Sequence, residues 1–326
     1  MTPQGSGARV AAMSSAFRNP QHAADARSYL LGGQSIAVAK LERGLHIVAT
    51  PIGNLGDIAL RALAALAGAD LIACEDTRVT RKLLDRYGIA RPLTPYHEHN
   101  AAKARPMLLR RLAQGAAIAL VSDAGTPLIS DPGYKLVRAA QDAGHRVTAL
   151  PGASAVMAAL TVAGLPTDQF LFAGFLPPKE TARRARIAEL ARIPATLVVF
   201  ETGPRLAATL ADLAAGLGQR REAALCRELT KLHEEIRRGD LATLADTCAD
   251  EPPRGEIVLV IAPPQASQPI GAAETETMLR QALKRVSLKD AVGEVADATG
   301  LPRREVYQRA LALTNETKEE NHGAAR

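Results

Sequence analysis

The chain has 326 residues, 47% of them hydrophobic and only 3% aromatic, with no Trp and a formal net charge of +6. That length allows two domains of ordinary size and a small third one, and the apolar share is enough for a sizeable core. Scarce aromatics argue against a stacking platform for single-stranded nucleic acid. The three cysteines (Cys74, Cys226, Cys248) lie far apart without a CxxC, which argues against a disulfide framework or a zinc site. No apolar run approaches the roughly 20 residues of a membrane span, and the start shows no charged-then-apolar signal pattern. The expectation is a soluble, cytoplasmic protein.

In chain order, residues 1–44 are rich in Ala, Ser, Gly and Gln with weak periodicity, and read as a disordered extension. From Leu45 short apolar strands alternate with helical stretches. "LHIVAT" is a strand, "PIGNLGD" a turn-rich loop and "IALRALAALAGA" a helix. "DLIAC" is the next strand, and "TRVTRKLLDRYG" a helix closed by Gly88. "AKARPMLLRRLAQG", "AAIALV", "GYKLVRAAQDAG" and "RVTAL" continue the alternation. This predicts an α/β domain with a mostly parallel sheet over 45–163. A second α/β domain, 164–263, has predicted strands at 170–175, 195–200, 222–229 and 256–261, with helices near 179–191 and 204–217. A Pro/Ala/Gln/Ser linker at 264–273 leads to a helical module at 274–313. In that module a Gly300 turn and Pro302 separate two helices at helix-turn-helix spacing. Its charge is nearly balanced, seven basic residues against six acidic. The tail, 314–326, is polar.

The positive charge is concentrated. Between Arg78 and Arg111 nine Lys or Arg stand against two acids, a net +7 that exceeds the +6 of the whole chain. A polyanionic partner suits such a segment, with a solvated helix face as the plain alternative. Arg81, Lys82 and Arg86 share one helical face with Arg78 and are the candidate phosphate contacts.

In open α/β sheets, ligands bind beyond the carboxyl ends of the strands. Here those ends carry "PIGNLGD", "SDAGTPLISDPG", "PGASAV" and, in the second domain, "ETGPR". Their small residues leave main-chain groups open to a ligand. The first three loops contain no Lys or Arg, and neither GxxxxGK[ST] nor GxGxxG occurs in the chain. They favour a neutral or zwitterionic ligand over a phosphate, and S-adenosylmethionine is one such candidate.

"VATPIGNLGDIALRA", "ACEDTRVTRKLL", "YHEHN", "LVSDAGTPLISDPG", "LPGASAV", "FAGFLP", "VVFETGPRL", "CRELTKLHEE" and "RGEIVLVI" occur in order from about 45 to 261. In these stretches the chain resembles the tetrapyrrole methylase superfamily, the class III S-adenosylmethionine-dependent methyltransferases. More closely it resembles the RsmI-type ribosomal RNA small-subunit 2′-O-ribose methyltransferases, whose first loop reads PIGNLGD where many superfamily members have GxGxGD. The resemblance implies a two-domain fold with the cofactor in a cleft between the domains, and a homodimer. It implies S-adenosylmethionine as cofactor and a ribose, a cytidine's, in small-subunit ribosomal RNA as acceptor, free or in the assembled particle. Carried over position by position, the cofactor contacts fall at Pro51, Ile52, Asp123, Thr126, Pro127, Leu128, Ser154, Ala155, Phe200, Cys226 and Gly255.

Methyl transfer to a hydroxyl needs alignment and a positioned base. The candidates lie in "CEDTR" and "YHEHN", with Glu228, Lys231 and Glu256 reaching in from the second domain. Glu75 and Asp76 are the expected orienting or basic groups, Arg78 a phosphate contact and Lys231 a residue of the acceptor side. A helix N-cap with a local ion pair is the alternative for Asp76 and Arg78. The "HEH" has no partner at metal spacing, so no metal is expected. Two other functions compete. One is carbon methylation of a tetrapyrrole or corrinoid precursor, which the basic segment and helical tail disfavour. The other is a non-catalytic RNA-binding ribosome assembly factor, which the intact loops disfavour.

Overall fold

The computed structural model describes residues 27–251, 253–264 and 272–323, with side chains as far as Thr314. Expectations for 1–26 and 265–271 lie outside the described residues. The chain divides into two compact units. One holds everything described up to Ala262 apart from residues 191–195, and the other holds those five residues together with the described residues from Pro263 onward.

The first unit opens with a hairpin where the sequence predicted more of the extension. Strands β1 (Ser28–Leu31) and β2 (Gln34–Ala37) pair antiparallel. The two-residue turn between them is Gly32–Gly33, with φ of 56° and 81°. Both angles lie in the left-handed region that glycine enters without a Cβ penalty, which is why Gly-Gly serves such turns. The hairpin docks through Leu30, whose N–H donates to the Tyr87 carbonyl at 2.7 Å.

A five-stranded parallel sheet follows, made of β3 (Gly44–Val48), β4 (Leu71–Cys74), β5 (Leu93–Pro95), β6 (Ala117–Val121) and β7 (Val147–Leu150). Its spatial order is β5-β4-β6-β3-β7. All of β3, β4 and β6 is buried, as continuous apolar runs require when helices cover both faces. Helices α1 (Leu60–Gly68) and α2 (Thr77–Arg86) cover one face through Leu63, Leu66, Leu83 and Leu84. Helices α3 (Ala101–Ala113) and α4 (Tyr134–Asp142) cover the other through Leu108, Leu112 and Leu136. The chain leaves β3 toward β4 but leaves β6 toward β7. Each connection passes the other's strand on the opposite face of the sheet, so the chain's direction reverses here, and the crevice between these two strand ends is where ligands bind in such sheets.

The second sheet is mixed. It comprises β8 (Phe170–Phe175), β9 (Thr196–Thr202), β10 (Glu222–Arg227), β11 (Glu235–Asp240) and β12 (Glu256–Ile261), in the order β11-β10-β12-β9-β8. Only β8 and β9 run parallel. Helices α6 (Glu180–Leu190), α7 (Gly203–Leu217) and α8 (Leu241–Asp250) accompany it. Helix α5 (Ala155–Ala163) falls before the domain boundary expected at 163, yet its Val156, Ala159 and Leu160 pack with Val198, Ala224 and Val258 of this sheet. The helix carries no charge, and its apolar face finds cover there.

The second unit contains α9 (Ala272–Leu283), α10 (Leu288–Thr299) and α11 (Arg303–Gly323) around a core that includes Leu279, Val295, Val306 and Leu313. The Ser287 hydroxyl caps α10 by accepting from Asp290 N, and Gly300 ends that helix at φ 70°. Helix α11 runs past the tail boundary expected at 314. Arg285, Arg303 and Arg309 pair with Glu294, Asp297 and Glu305, so much of the module's positive charge is balanced locally.

Candidate functional site

Two loops meet at the crevice between β3 and β6. Thr50 and Gly125 exchange backbone hydrogen bonds of 2.8 and 3.0 Å, which join the loop after β3 to the loop after β6. The second of these loops is sharply bent, with Gly125, Leu128 and Ser130 at φ of 77°, 74° and 62°. Non-glycine residues hold such angles only when their surroundings over-determine them, and such residues cluster at functional sites. The Thr126 hydroxyl donates to the Ala153 carbonyl at 3.2 Å and ties this loop to the start of α5.

A cavity of about 370 Å³ opens between these loops and the second sheet. Ile52, Gly125, Thr126, Ser154, Ala155, Phe200 and Cys226 line it, so six of the predicted cofactor contacts face one space. The Ser154 hydroxyl makes no cap hydrogen bond to α5. Burial pushes the Cys226 thiol up to about 11, so it stays protonated and serves as a wall. Sequence reasoning missed Phe175, Ile129, Asp131, Leu229 and Val258, which also line the cavity. The Phe175 and Phe172 rings meet Phe200 edge to face, with centroids 5.6 and 4.8 Å away. Three of the chain's five Phe gather here. In so aromatic-poor a sequence, that spacing along "FLFAGF" was a usable signal.

Carboxylates Asp131, Glu201 and Glu256 line the cavity and no Lys or Arg does. Glu201, 1% exposed, is held by Thr202 N, the Thr209 hydroxyl and Arg205. Asp131 titrates above the usual carboxylate range because it is buried and because Asp123 repels its charge, although Ser122 opposes the shift.

Pro51 and Asp123 stand on a second, adjoining pocket of about 270 Å³, which shares Ile52, Ala124 and Glu256 with the first. One Asp123 carboxylate oxygen accepts from Asp76 N at 2.9 Å. Lys231 lines this pocket too. Its ammonium donates to Glu228 at 2.9 Å and to Glu256 at 3.0 Å. Burial alone would lower the Lys231 value, but these two hydrogen bonds raise it, so the group is a fixed cation. Pro127, Leu128 and Gly255 line neither space. For Gly255 the structure provides another reason. Its φ is +102°, and a Cβ there would lie 2.5 Å from a Glu228 carboxylate oxygen.

Of the remaining predicted residues, Glu75, Asp76, Arg78, Arg81 and Arg86 line neither pocket. Asp76 caps α2 by accepting from Arg78 N at 2.8 Å, and its carboxylate also binds the Arg78 guanidinium. Those bonds hold its acid value down to about 2. The local capping pair is therefore what the structure forms. Glu75 sits among Asp131, Asp123 and Asp76, and burial followed by their repulsion raises its carboxyl. On α2, Arg81, Lys82 and Arg86 are exposed, and no described ion pair involves them. Lys82 also borders the second pocket. Arg91 is only 9% exposed, so the basic segment presents fewer charges to solvent than its sequence carries.

The chain matches two family models. The one described as Tetrapyrrole (Corrin/Porphyrin) Methylases covers residues 44–245, and the RsmI C-terminal HTH domain covers 270–314. A protein of Erythrobacter litoralis, "Ribosomal RNA small subunit methyltransferase I", is 54% identical over 84% of this chain and 96% of its own length. A protein of the same name from Mesorhizobium japonicum is 49% identical over 90% of this chain and all of its own. Among solved structures, diphthine synthase superposes with a TM-score of 0.53 at 17% identity, covering 67% of this chain and 89% of that one, a likeness of fold. The cavity at the crossing of the parallel sheet, the helical module and these similarities agree: the chain belongs to the tetrapyrrole methylase family, within its ribosomal RNA small subunit methyltransferase I branch.

Proposed function

We propose that this chain methylates the 2′-hydroxyl of a ribose, a cytidine's, in small-subunit ribosomal RNA, with S-adenosylmethionine as the methyl donor. The observation that carries the reading is a cation-free, carboxylate-bearing cavity in the same unit as an exposed basic helix face. The cavity suits a ligand with an apolar ring system and a positive centre, and it repels an acidic macrocycle. Ile52, Gly125, Thr126, Ser154, Ala155, Phe200 and Cys226 are the residues that would hold the cofactor. When bound, it supplies a methyl group whose transfer to oxygen breaks the carbon–sulfur bond, leaves the electron pair on sulfur and releases the hydroxyl proton. The chain's own work is alignment, exclusion of water and provision of a carboxylate for that proton, and Asp123 and Glu256 are the carboxylates at the second pocket. Arg81, Lys82 and Arg86 supply positive charge for the RNA backbone.

The family resemblance supports a homodimer, which light scattering would measure. No helix among the described residues is long and apolar enough to cross a membrane, and a ribosomal substrate agrees with a cytoplasmic location. The direct test uses tritiated S-adenosylmethionine and small ribosomal subunits from a strain lacking the gene. Label should appear in an alkali-resistant dinucleotide, because a 2′-O-methyl group blocks cleavage at that ribose. Label on a base or on a tetrapyrrole would overturn the proposal.

A further inference from the structure

Strand β8 breaks its alternation where it reaches the larger cavity. Along a regular strand, residues three apart point to opposite faces of the sheet. Phe172 and Phe175 nevertheless both meet the Phe200 ring. A bulge is the reason. Phe172 pairs with Val198 and Gly174 with Val199, so Ala173 has no counterpart on β9, and Phe175 comes opposite Phe200. Gly174 holds φ at 66° to make the bend. Bulges are rare between parallel strands and recur beside active sites, where they re-aim a side chain. The side chain re-aimed here is Phe175, which lines the cavity yet is 53% exposed, and so stands at its mouth. A Cβ on Gly174 would lie 3.4 Å from the Ser130 hydroxyl oxygen. The bulge therefore abuts the bent loop after β6, whose Ile129 and Ser130 line the same cavity.

A ring so exposed has little packing to fix it, and its backbone is held instead. Arg205, in the first turn of α7, donates through one guanidinium nitrogen to the carbonyl of Leu176 at 2.6 Å. The same nitrogen stands 3.4 Å from Glu201 Oε1. Glu201 is itself fixed by Thr202 N and the Thr209 hydroxyl, both of which donate to it. Leu176 follows Phe175 and Glu201 follows Phe200, so Arg205 bridges the backbone beside one ring to the residue beside the other. Its Nε is buried and has no hydrogen-bond partner among the described residues. An unpaired buried donor is costly, so the guanidinium is oriented for the bridge and not for its own satisfaction.

We infer that Arg205 is a positioning residue for S-adenosylmethionine: its bridge from Glu201 to the Leu176 carbonyl fixes the bulge, and with it the Phe175 ring, at the mouth of the cavity. The inference rests on the reading that this cavity holds S-adenosylmethionine. Phe175 and Phe200 give the cofactor apolar cover, and aromatic rings attract a positive centre such as a sulfonium. Arg205 does not line the cavity, so its effect on the cofactor passes through Phe175.

A double-variant cycle on S-adenosylmethionine affinity, measured by calorimetry, tests this. Phe175→Ala should weaken binding about tenfold, the order expected of a ring beside a cation. Arg205→Ala should weaken it by about three- to tenfold, and in a Phe175→Ala background it should add less than about twofold, because the ring it positions is gone. Arg205→Lys, which keeps a donor for the Leu176 carbonyl, should recover most of the affinity. Arg205→Met keeps the apolar stem and takes the place of Arg205→Ala should that variant unfold by circular dichroism. Wild-type affinity in folded Arg205→Ala or Arg205→Met, or in Phe175→Ala, would overturn the inference. So would losses that multiply in the double variant, which would mean that Arg205 does not act through the ring. If the wild-type protein itself binds no S-adenosylmethionine, the underlying reading fails instead.

Discussion

Gly255→Ala separates a steric role from direct cofactor contact. Gly255 has φ +102°, and an added Cβ would meet Glu228 Oε1 at 2.5 Å, Cδ at 2.6 Å and Cγ at 2.8 Å. That carboxylate accepts from Glu256 N and from Lys231, both at 2.9 Å. An L side chain at this backbone angle costs about 1–3 kcal/mol. Displacing the carboxylate forfeits hydrogen bonds to a charged group, nominally about 1.5–3 kcal/mol. Glu228 is partly solvated, so less than half of that second cost should be realised. The total is about 1–4 kcal/mol, a fall of about 2–16 °C in the melting temperature of a unit of this size. Thermal unfolding followed by circular dichroism measures it. In a Glu228→Ala background the same substitution should cost clearly less, because the clash is gone while the backbone strain remains. Unchanged melting with lost S-adenosylmethionine affinity would refute the reasoning and make Gly255 a direct contact.

Glu75 titrates above its ordinary value through burial and the nearby carboxylates. A carboxyl raised in the folded state favours folding when protonated, and that contribution is lost as pH rises through the folded value. Glu75→Gln should therefore raise the melting temperature at about pH 7.5 and give no gain at about pH 3.5, below the usual carboxylate range. A gain of equal size at both pH values would exclude the electrostatic cause. Replacing Arg81, Lys82 and Arg86 by Ala should flatten the log–log salt dependence of RNA binding by up to about 2 units, at about 0.7 for each phosphate no longer neutralised. S-adenosylmethionine affinity should stay unchanged. A retained wild-type slope would make α2 a solvated face.

Strands β3, β4 and β6 were legible because burial on both faces makes them uninterrupted apolar runs, as in Ala117–Val121, whereas the three-residue β5 carries no such run. The hairpin was overlooked although Gly32–Gly33 between two short runs signals a turn of this kind. Strand β11 escaped notice because "EIRRGD" lies at a sheet edge and has no apolar alternation. Loop composition located the crevice, and the absence of Lys and Arg from the first three loops matches the cation-free lining. The division of the loop residues between two pockets was beyond the sequence, because Asp123 and Thr126, three positions apart, line different spaces across a backbone bend at Ala124–Gly125. The charge count overstated the basic face, since periodicity alone did not reveal that Arg91 is buried.

The central claim is that the ribose 2′-hydroxyl is the acceptor, and one substitution in the RNA tests it most directly. Once the labelled nucleotide is mapped, a ribosomal RNA carrying deoxyribose at that single position should bind with nearly unchanged affinity and accept no methyl group, since the hydroxyl is all that distinguishes the two sugars. Methyl transfer to that deoxy substrate at the wild-type rate would contradict the account.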